Sequence, residues 1–188
     1  MPLYVTIPIA VVVVLVALVL ILVASRPTMF RVARSAQVSA PAEVIFSIIN
    51  DLHLWSLWSP YDKRDPKMEK TYGGPLAGPG ASYAWNGNNN VGAGRMTIIE
   101  SKPGELISMR LEFDRPFKCD NQVKFTLEPS ASGTRVSWIM DGKNNFMGKA
   151  MSLVMDMDKM IGKDFEEGLA NLDAVAQAEA KKLRRENG

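Results

Sequence analysis

Few side chains in this sequence have the chemistry that catalysis or metal binding needs. The chain contains one histidine, His53, and one cysteine, Cys119. A Ser-His-Asp triad or a histidine-rich metal site would depend entirely on His53, which we interpret as a surface or helix-end residue. Cys119 has no second cysteine or histidine beside it, which favours a structural thiol. These two residues therefore predict no catalytic site.

Three aspartates, Asp156, Asp158 and Asp164, lie close together in the sequence and could suggest a metal site. At positions i, i+2 and i+8 of a helix they do not share one face, whereas a hard cation needs several converging oxygens. Residues 92–95 resemble a phosphate-binding loop, but they lead into a predicted strand instead of a helix. We therefore predict no metal and no cofactor.

The spacing of apolar residues predicts the elements that would position a site. Residues 29–38 form a strand that runs into a helix, and a second short helix covers residues 52–58. Alternation then predicts antiparallel strands joined by short turns, over residues 69–72, 81–85, 94–101, 107–113, 123–128 and 136–140. From about residue 146 to residue 183 the spacing is helical, which predicts one long C-terminal helix. This order indicates an α+β domain.

The chain opens with an apolar segment. Residues 1–25 carry no charged side chain, and from Leu3 to Ala24 only Thr6 interrupts the apolar run. At ~1.5 Å per residue such a helix is roughly 33 Å long, enough to cross a bilayer core of about 30 Å. We predict a retained single-pass transmembrane anchor over residues 1–25, with a cleaved signal peptide and a buried helix as the alternatives.

Basic residues follow this segment closely, at Arg26, Arg31 and Arg34. Because positive residues beside a span favour the cytoplasmic side, we expect a protein of the cell membrane (inner or plasma) with a cytoplasmic domain. After a linker at residues 26–29, one domain covers residues 30–176, and residues 177–188 form a basic helical tail. A net charge of +2 is too small to predict nucleic-acid binding, and the sequence does not identify a protein partner.

Four groups of residues, in this order, resemble a known superfamily. They are residues 39–46 (SAPAEVIF), residues 50–60 with Trp55 and Trp58, residues 133–138 (GTRVSW) and residues 162–172 (GKDFEEGLANL). Together they resemble the START-like or SRPBCC superfamily, in particular its polyketide cyclase/dehydrase-type branch. The resemblance implies a helix-grip fold, in which an antiparallel sheet wraps around a long C-terminal helix and leaves a cavity. Here one transmembrane helix would precede that fold.

The resemblance implies a ligand cavity between the sheet and the C-terminal helix. The candidate wall residues on the sheet are Tyr83, Trp85, Met96, Ile98, Met109, Leu111, Phe113, Phe125 and Trp138. Met147, Met151 and Met155 would face them from the helix, either as ordinary core packing or as an adaptable lining for an irregular apolar ligand. These two interpretations are compatible. His53, Trp55 and Trp58 would lie at the cavity mouth.

Members of this superfamily commonly bind lipids, sterols, polyketides or other apolar molecules, and a minority are enzymes. We therefore expect a membrane-anchored domain that binds a small hydrophobic or amphipathic ligand, lipid-like or polyketide-like, and that contacts the membrane through residues 3–24. One alternative is a cyclase or dehydratase that uses Tyr72, Tyr83, His53 or a buried carboxylate as acid or base. Another is a structural or regulatory membrane partner whose cavity is filled by its own side chains.

Overall fold

A seven-stranded antiparallel sheet forms the centre of the computed structural model, which describes residues 3–186. The strands are β1 (Met29–Val38), β2 (Glu69–Gly73), β3 (Ser82–Asn86), β4 (Ala93–Lys102), β5 (Leu106–Arg115), β6 (Cys119–Ser130) and β7 (Gly133–Lys143). The helices are α1 (Leu3–Ala24), α2 (Ala42–Asn50), α3 (Pro60–Arg64), α4 (Phe146–Met151) and α5 (Met157–Glu186), with a 3-10 helix at Leu52–Leu57. The predicted segments 1–25 and 177–188 include residues 1–2 and 187–188, which lie outside the described residues.

The sheet has the order β1-β7-β6-β5-β4-β3-β2, so strands that follow each other in the chain pair from β2 to β7. In β6, Val123, Phe125 and Leu127 are buried, while the residues between them are more exposed. Alternate side chains of a strand point to opposite faces, so one face of the sheet is apolar. Helix α5 packs against β1 and β7. This arrangement confirms the predicted α+β class and fits the helix-grip fold.

Two glycines of α5 allow the helix to lie directly on neighbouring side chains. A Cβ atom at Gly168 would lie 2.6 Å from Cζ3 of Trp138, and one at Gly162 would collide with the guanidinium group of Arg34. Only glycine avoids a steric overlap at such a close approach. These two positions therefore set how near the helix comes to β1 and β7.

The C-terminal helical segment is divided into two helices, which corrects the prediction of one helix from residue 146. Helix α4 ends at Met151 and α5 begins at Met157. The Asn145 side chain accepts a hydrogen bond from the Gly148 amide at 2.8 Å, and the Asp156 side chain accepts one from the Lys159 amide at 3.0 Å. Each helix therefore has its own N-terminal cap, and the turn lies between them.

Helix α1 extends away from the sheet. Its side chains from residue 9 to residue 22 are all exposed, whereas Val23 is buried where the end of α1 contacts α4. Within the described part of the chain, no helix meets both the length and the apolarity that a membrane crossing requires, so the predicted transmembrane anchor is not supported.

Candidate functional site

The middle of the groove between the sheet and α5 is occupied by aromatic side chains. Trp138 of β7 stacks on Phe165 of α5, with ring centroids 4.1 Å apart and an interplanar angle of 7°. Trp58 packs edge-on against Trp138 with centroids 5.5 Å apart, and Trp55 lies 4.7 Å from Trp58. Such stacked and edge-on pairs are favourable ring arrangements. The interior of the described structure is therefore a packed aromatic core.

The structure brings the predicted wall residues of the sheet together in this core. Phe113 is partly buried and packs against the core, and the others are buried: Tyr83, Trp85, Met96, Ile98, Met109, Leu111, Phe125 and Trp138. Trp55 and Trp58, predicted at the cavity mouth, are also fully enclosed, with 1% and 0% of their surface exposed. Contact of these side chains with a ligand stays a prediction.

The three predicted methionines lie elsewhere. Met147 and Met151 belong to α4, and Met155 belongs to the turn between α4 and α5. Met147 is 44% exposed and Met155 is 40% exposed, so neither packs in the aromatic core. Their helical spacing predicted one continuous stripe, but helix α4 ends at Met151, and Met147 and Met155 lie on the molecular surface.

His53 lies at the edge of the groove, between the 3-10 helix and β2. Its Nδ1 atom is 3.0 Å from Oδ1 of Asp51, and its ring stacks on Tyr72 with centroids 3.9 Å apart. The same Asp51 oxygen accepts a hydrogen bond from the His53 amide at 2.9 Å, which caps the 3-10 helix. Asp51 therefore holds both the helix end and the imidazole ring in place.

The enzyme alternative would use Tyr72 or Tyr83 as acid or base, and the pKa values of both are shifted away from the role of a base. Burial raises the pKa of Tyr83 far above its ordinary value, and burial also raises the pKa of Tyr72. A phenol with a raised pKa stays protonated at neutral pH, so it can donate a hydrogen bond but does not remove a proton. This arrangement gives no support to tyrosine-based proton abstraction.

Each of the three aspartates considered for metal binding has its own partner. Asp156 caps α5, Asp158 pairs with Arg34 at 3.0 Å, and Asp164 pairs with Arg64. Across the described residues, no group of three or more histidine, cysteine or acidic side chains is placed to hold a metal ion. The structure therefore does not bring these carboxylates together.

An open cleft of about 540 Å³ lies where α1 joins the domain. It is formed by the linker after α1, the beginning of β1, the residue directly after β7, the turn between α4 and α5, and the beginning of α5. Its lining residues are Arg26, Pro27, Met29, Phe30, Asn144 and residues 152–158. This volume is within the range of roughly 300–1,000 Å³ that is typical of small-molecule sites.

Most polar groups of the cleft are engaged with the protein itself. The Asn144 side chain donates to the Pro27 carbonyl at 3.2 Å, and the Ser152 hydroxyl donates to the Lys149 carbonyl at 2.7 Å. The hydrogen bond from Arg34 lowers the pKa of Asp158, so that carboxylate stays ionised. Among the described residues, the Arg26 guanidinium forms no ion pair within 4.0 Å. Arg26 is therefore the cationic group that a ligand could use.

Sequence reasoning missed this cleft because its two walls come from distant parts of the chain. Residues 26–30 and residues 152–158 are separated by more than 120 positions, and alternation within one element does not report such a meeting. One feature of the sequence could have indicated an exposed apolar surface here, namely the run Leu153-Val154-Met155. Three consecutive apolar residues point in too many directions for one helix face to bury them all. Val154 is in fact 84% exposed.

The sequence also matches a family profile. The profile described as "Polyketide cyclase / dehydrase and lipid transport" matches residues 29–177. The chain belongs to this family. Membership confirms the superfamily that residues 39–46 and 162–172 indicated. The description of the polyketide cyclase/dehydrase and lipid transport family includes both catalysis and transport, so membership alone does not choose between them. A comparison with curated protein sequences finds no match.

Solved structures share this fold. Protein CV1439 from Chromobacterium violaceum is 19% identical, with 80% of this chain and 98% of that chain covered and a TM-score of 0.55. The major latex-like protein 151 of Panax ginseng is 12% identical, with 80% and 99% covered and a TM-score of 0.57. DynU16, from the dynemicin biosynthetic locus, is 14% identical, with 80% and 48% covered and a TM-score of 0.54. At these identities the similarity concerns the fold alone.

Proposed function

We propose that this polyketide cyclase/dehydrase and lipid transport family member binds a small amphipathic molecule in the cleft beside α1, while α1 attaches the domain to a membrane. The cleft carries this proposal, because it is an open space of ligand size whose lining combines apolar side chains with polar and charged ones. The aromatic core, in contrast, is occupied by its own side chains. Binding in the cleft needs no rearrangement of that core.

The cleft suits a ligand with an apolar body and an anionic group at Arg26, because both carboxylates of the lining already have partners: Asp158 pairs with Arg34, and Asp156 accepts a hydrogen bond from the Lys159 amide. Met29, Leu153 and Met155 present apolar surface, and methionine side chains adapt to irregular ligands. Arg26 stands at the end nearest α1 and could pair with a carboxylate or phosphate, since guanidinium groups bind both in a bidentate manner. Fatty acids and phospholipids have this chemistry, and a polyketide acid shares it.

Helix α1 provides the support for membrane attachment. Large apolar side chains cover it, and they are about half exposed or more, for example Val14 at 58% and Ile21 at 64%. An apolar surface of this extent on a folded protein marks an interaction site. The basic residues Arg26, Arg31 and Arg34 support placing the domain on the cytoplasmic side. We propose a single-pass segment at residues 3–24.

Membrane attachment can be tested on the full chain in isolated cell membranes. We expect the chain to remain in the pellet after alkaline carbonate washing, because apolar side chains hold it in the lipid. We also expect added protease to digest the domain only in vesicles whose cytoplasmic face is outward. Release by carbonate would overturn the single-pass segment, and digestion from the opposite face would overturn the orientation.

Ligand binding can be tested in the same membranes with a diazirine-bearing fatty acid that crosslinks to its binding site on illumination. We expect crosslinks to map to residues 152–158, and Met155→Glu to reduce them several-fold because a carboxylate repels the anionic probe and makes the wall polar. Met160→Glu is the matched control, since Met160 is 44% exposed and does not line the cleft. Equal loss in both variants, or crosslinks confined to α1, would contradict cleft binding.

A further inference from the structure

The end of the domain beside α1 presents a second surface, which does not line the cleft. Phe117 in the turn between β5 and β6 is 42% exposed, and Phe146 and Met147 of α4 are 58% and 44% exposed. The Asn145 side chain donates to the Lys118 carbonyl at 3.5 Å, which joins this turn to the start of α4. Apolar side chains from two separate elements therefore share one end of the molecule. We call this surface the tip; it consists of Phe117, Phe146, Met147 and the three lysines Lys118, Lys143 and Lys149.

The tip has a fixed position relative to the end of α1. The Asn144 amide donates to the Thr28 carbonyl at 2.8 Å, and Lys149 Nζ lies 3.5 Å from the Ala24 carbonyl. Helix α4 also contacts α1 directly, where Val23 is buried. The segment that follows α1 is therefore tied to β7 and α4. It does not separate the domain from the helix.

Three lysines carry positive charge at the tip. Lys118 precedes β6, Lys143 ends β7, and Lys149 lies in α4 among the apolar residues. Within the described residues, none of these three lysines lies within 4.0 Å of a carboxylate. Apolar side chains mixed with unpaired lysines are typical of surfaces that rest in the interface of an anionic bilayer.

We propose that the tip docks on the surface of an anionic lipid bilayer, so that α4 lies in the interface beside the point where α1 enters. This inference rests on the proposed membrane attachment of α1. It adds a second contact between the protein and the bilayer, at the level of the headgroups. Continuity with α1 favours lipid as the occupant, because any surface held next to the end of an inserted helix faces the headgroups. The positive charge favours anionic lipid in particular. Docking would also hold the mouth of the cleft at the headgroup level.

The test uses an environment-sensitive fluorophore on the full chain in vesicles. Cys119 is first replaced by serine, and the label is attached through Phe146→Cys. Ile99→Cys is the matched control, because Ile99 is 57% exposed and lies near the far end of β4. With about a third of phosphatidylglycerol in phosphatidylcholine, we expect a blue-shifted emission at position 146 and quenching by lipids that carry a spin label near the headgroup. We expect neither effect at position 99.

The lysine contribution is tested by Lys118→Gln, Lys143→Gln and Lys149→Gln in the labelled chain. Each is expected to lower the ratio of docked to undocked tip in anionic vesicles, read from the emission at position 146, roughly fivefold. This corresponds to about 1 kcal/mol per basic residue at the surface. If the label at position 146 shows the emission typical of water while the chain still resists carbonate washing, docking would be overturned and the proposed function would stand. A blue shift that depends on protein concentration and not on lipid would also overturn it, in favour of a second copy. Loss of the chain from the membrane fraction would instead overturn the attachment by α1.

Discussion

Replacing Trp138 with alanine is expected to lower the free energy of unfolding by about 3–5 kcal/mol. Trp138 is 3% exposed, stacks on Phe165 and contacts the rings of Trp58 and Phe125. Its removal leaves a large cavity that these rings cannot close without leaving their own contacts. Because small domains have only about 5–15 kcal/mol of stability, the loss would be a large fraction of the total. Urea denaturation of the full chain in a mild detergent, followed by far-ultraviolet circular dichroism, measures it.

Trp138→Phe is the matched control for this substitution. The Trp138 Nε1 atom is buried and has no hydrogen-bond partner in the described structure. An unpaired buried donor costs about 1–3 kcal/mol, so replacing the indole by a phenyl ring removes that cost while it loses some packing. We expect a net change below about 1.5 kcal/mol. If Trp138→Ala also cost less than about 1 kcal/mol, the interior would be loosely packed, and a ligand site between the sheet and α5 would become the better proposal.

The second large effect concerns the ion pair between Arg64 of α3 and Asp164 of α5. The Asp164 side chain is 9% exposed and the Arg64 side chain is 37% exposed. Removing the cation leaves a buried carboxylate, whereas removing the carboxylate leaves a cation that can reach water. We therefore expect Arg64→Met to cost about 2–3 kcal/mol, somewhat less than for a fully buried pair, and Asp164→Asn to cost about 1 kcal/mol.

Urea denaturation of the two single variants and of the double variant Arg64→Met/Asp164→Asn measures this asymmetry. We expect the double variant to be more stable than Arg64→Met alone, because it contains neither the cation nor the buried carboxylate. A double variant that loses the sum of both costs, or a larger cost for Asp164→Asn than for Arg64→Met, would contradict this account.

The sheet could be predicted from the sequence because the alternation of apolar and polar residues within each strand indicates which side chains are buried. Val123, Phe125 and Leu127 alternate with polar residues, and their buried positions in β6 are those that the alternation indicated. The packing of the interior could not be predicted in the same way. Alternation shows that Trp138 points inward, but whether inward side chains meet or leave a space depends on Phe165 and Trp58, which come from other elements.

The C-terminal region shows a different limit. Met147, Met151 and Met155 keep helical spacing through a turn, so periodicity alone predicted one helix. The turn ends at a side-chain cap, Asp156, which the spacing of apolar residues does not report. The cleft follows from that turn, because residues 152–158 lie against the linker after α1. A local capping interaction therefore contributes to the shape of the candidate site.

The two hydrogen bonds that Asn144 forms with Thr28 and Pro27 also limit the reach of the domain. A flexible connection of four residues could extend by up to about 14 Å, but here the linker is hydrogen-bonded to Asn144 directly after β7 and cannot extend freely. If α1 attaches the domain to a membrane as we propose, the domain would move in the plane of the bilayer together with its helix. Any molecule that it carries would then be exchanged within one membrane, in two dimensions.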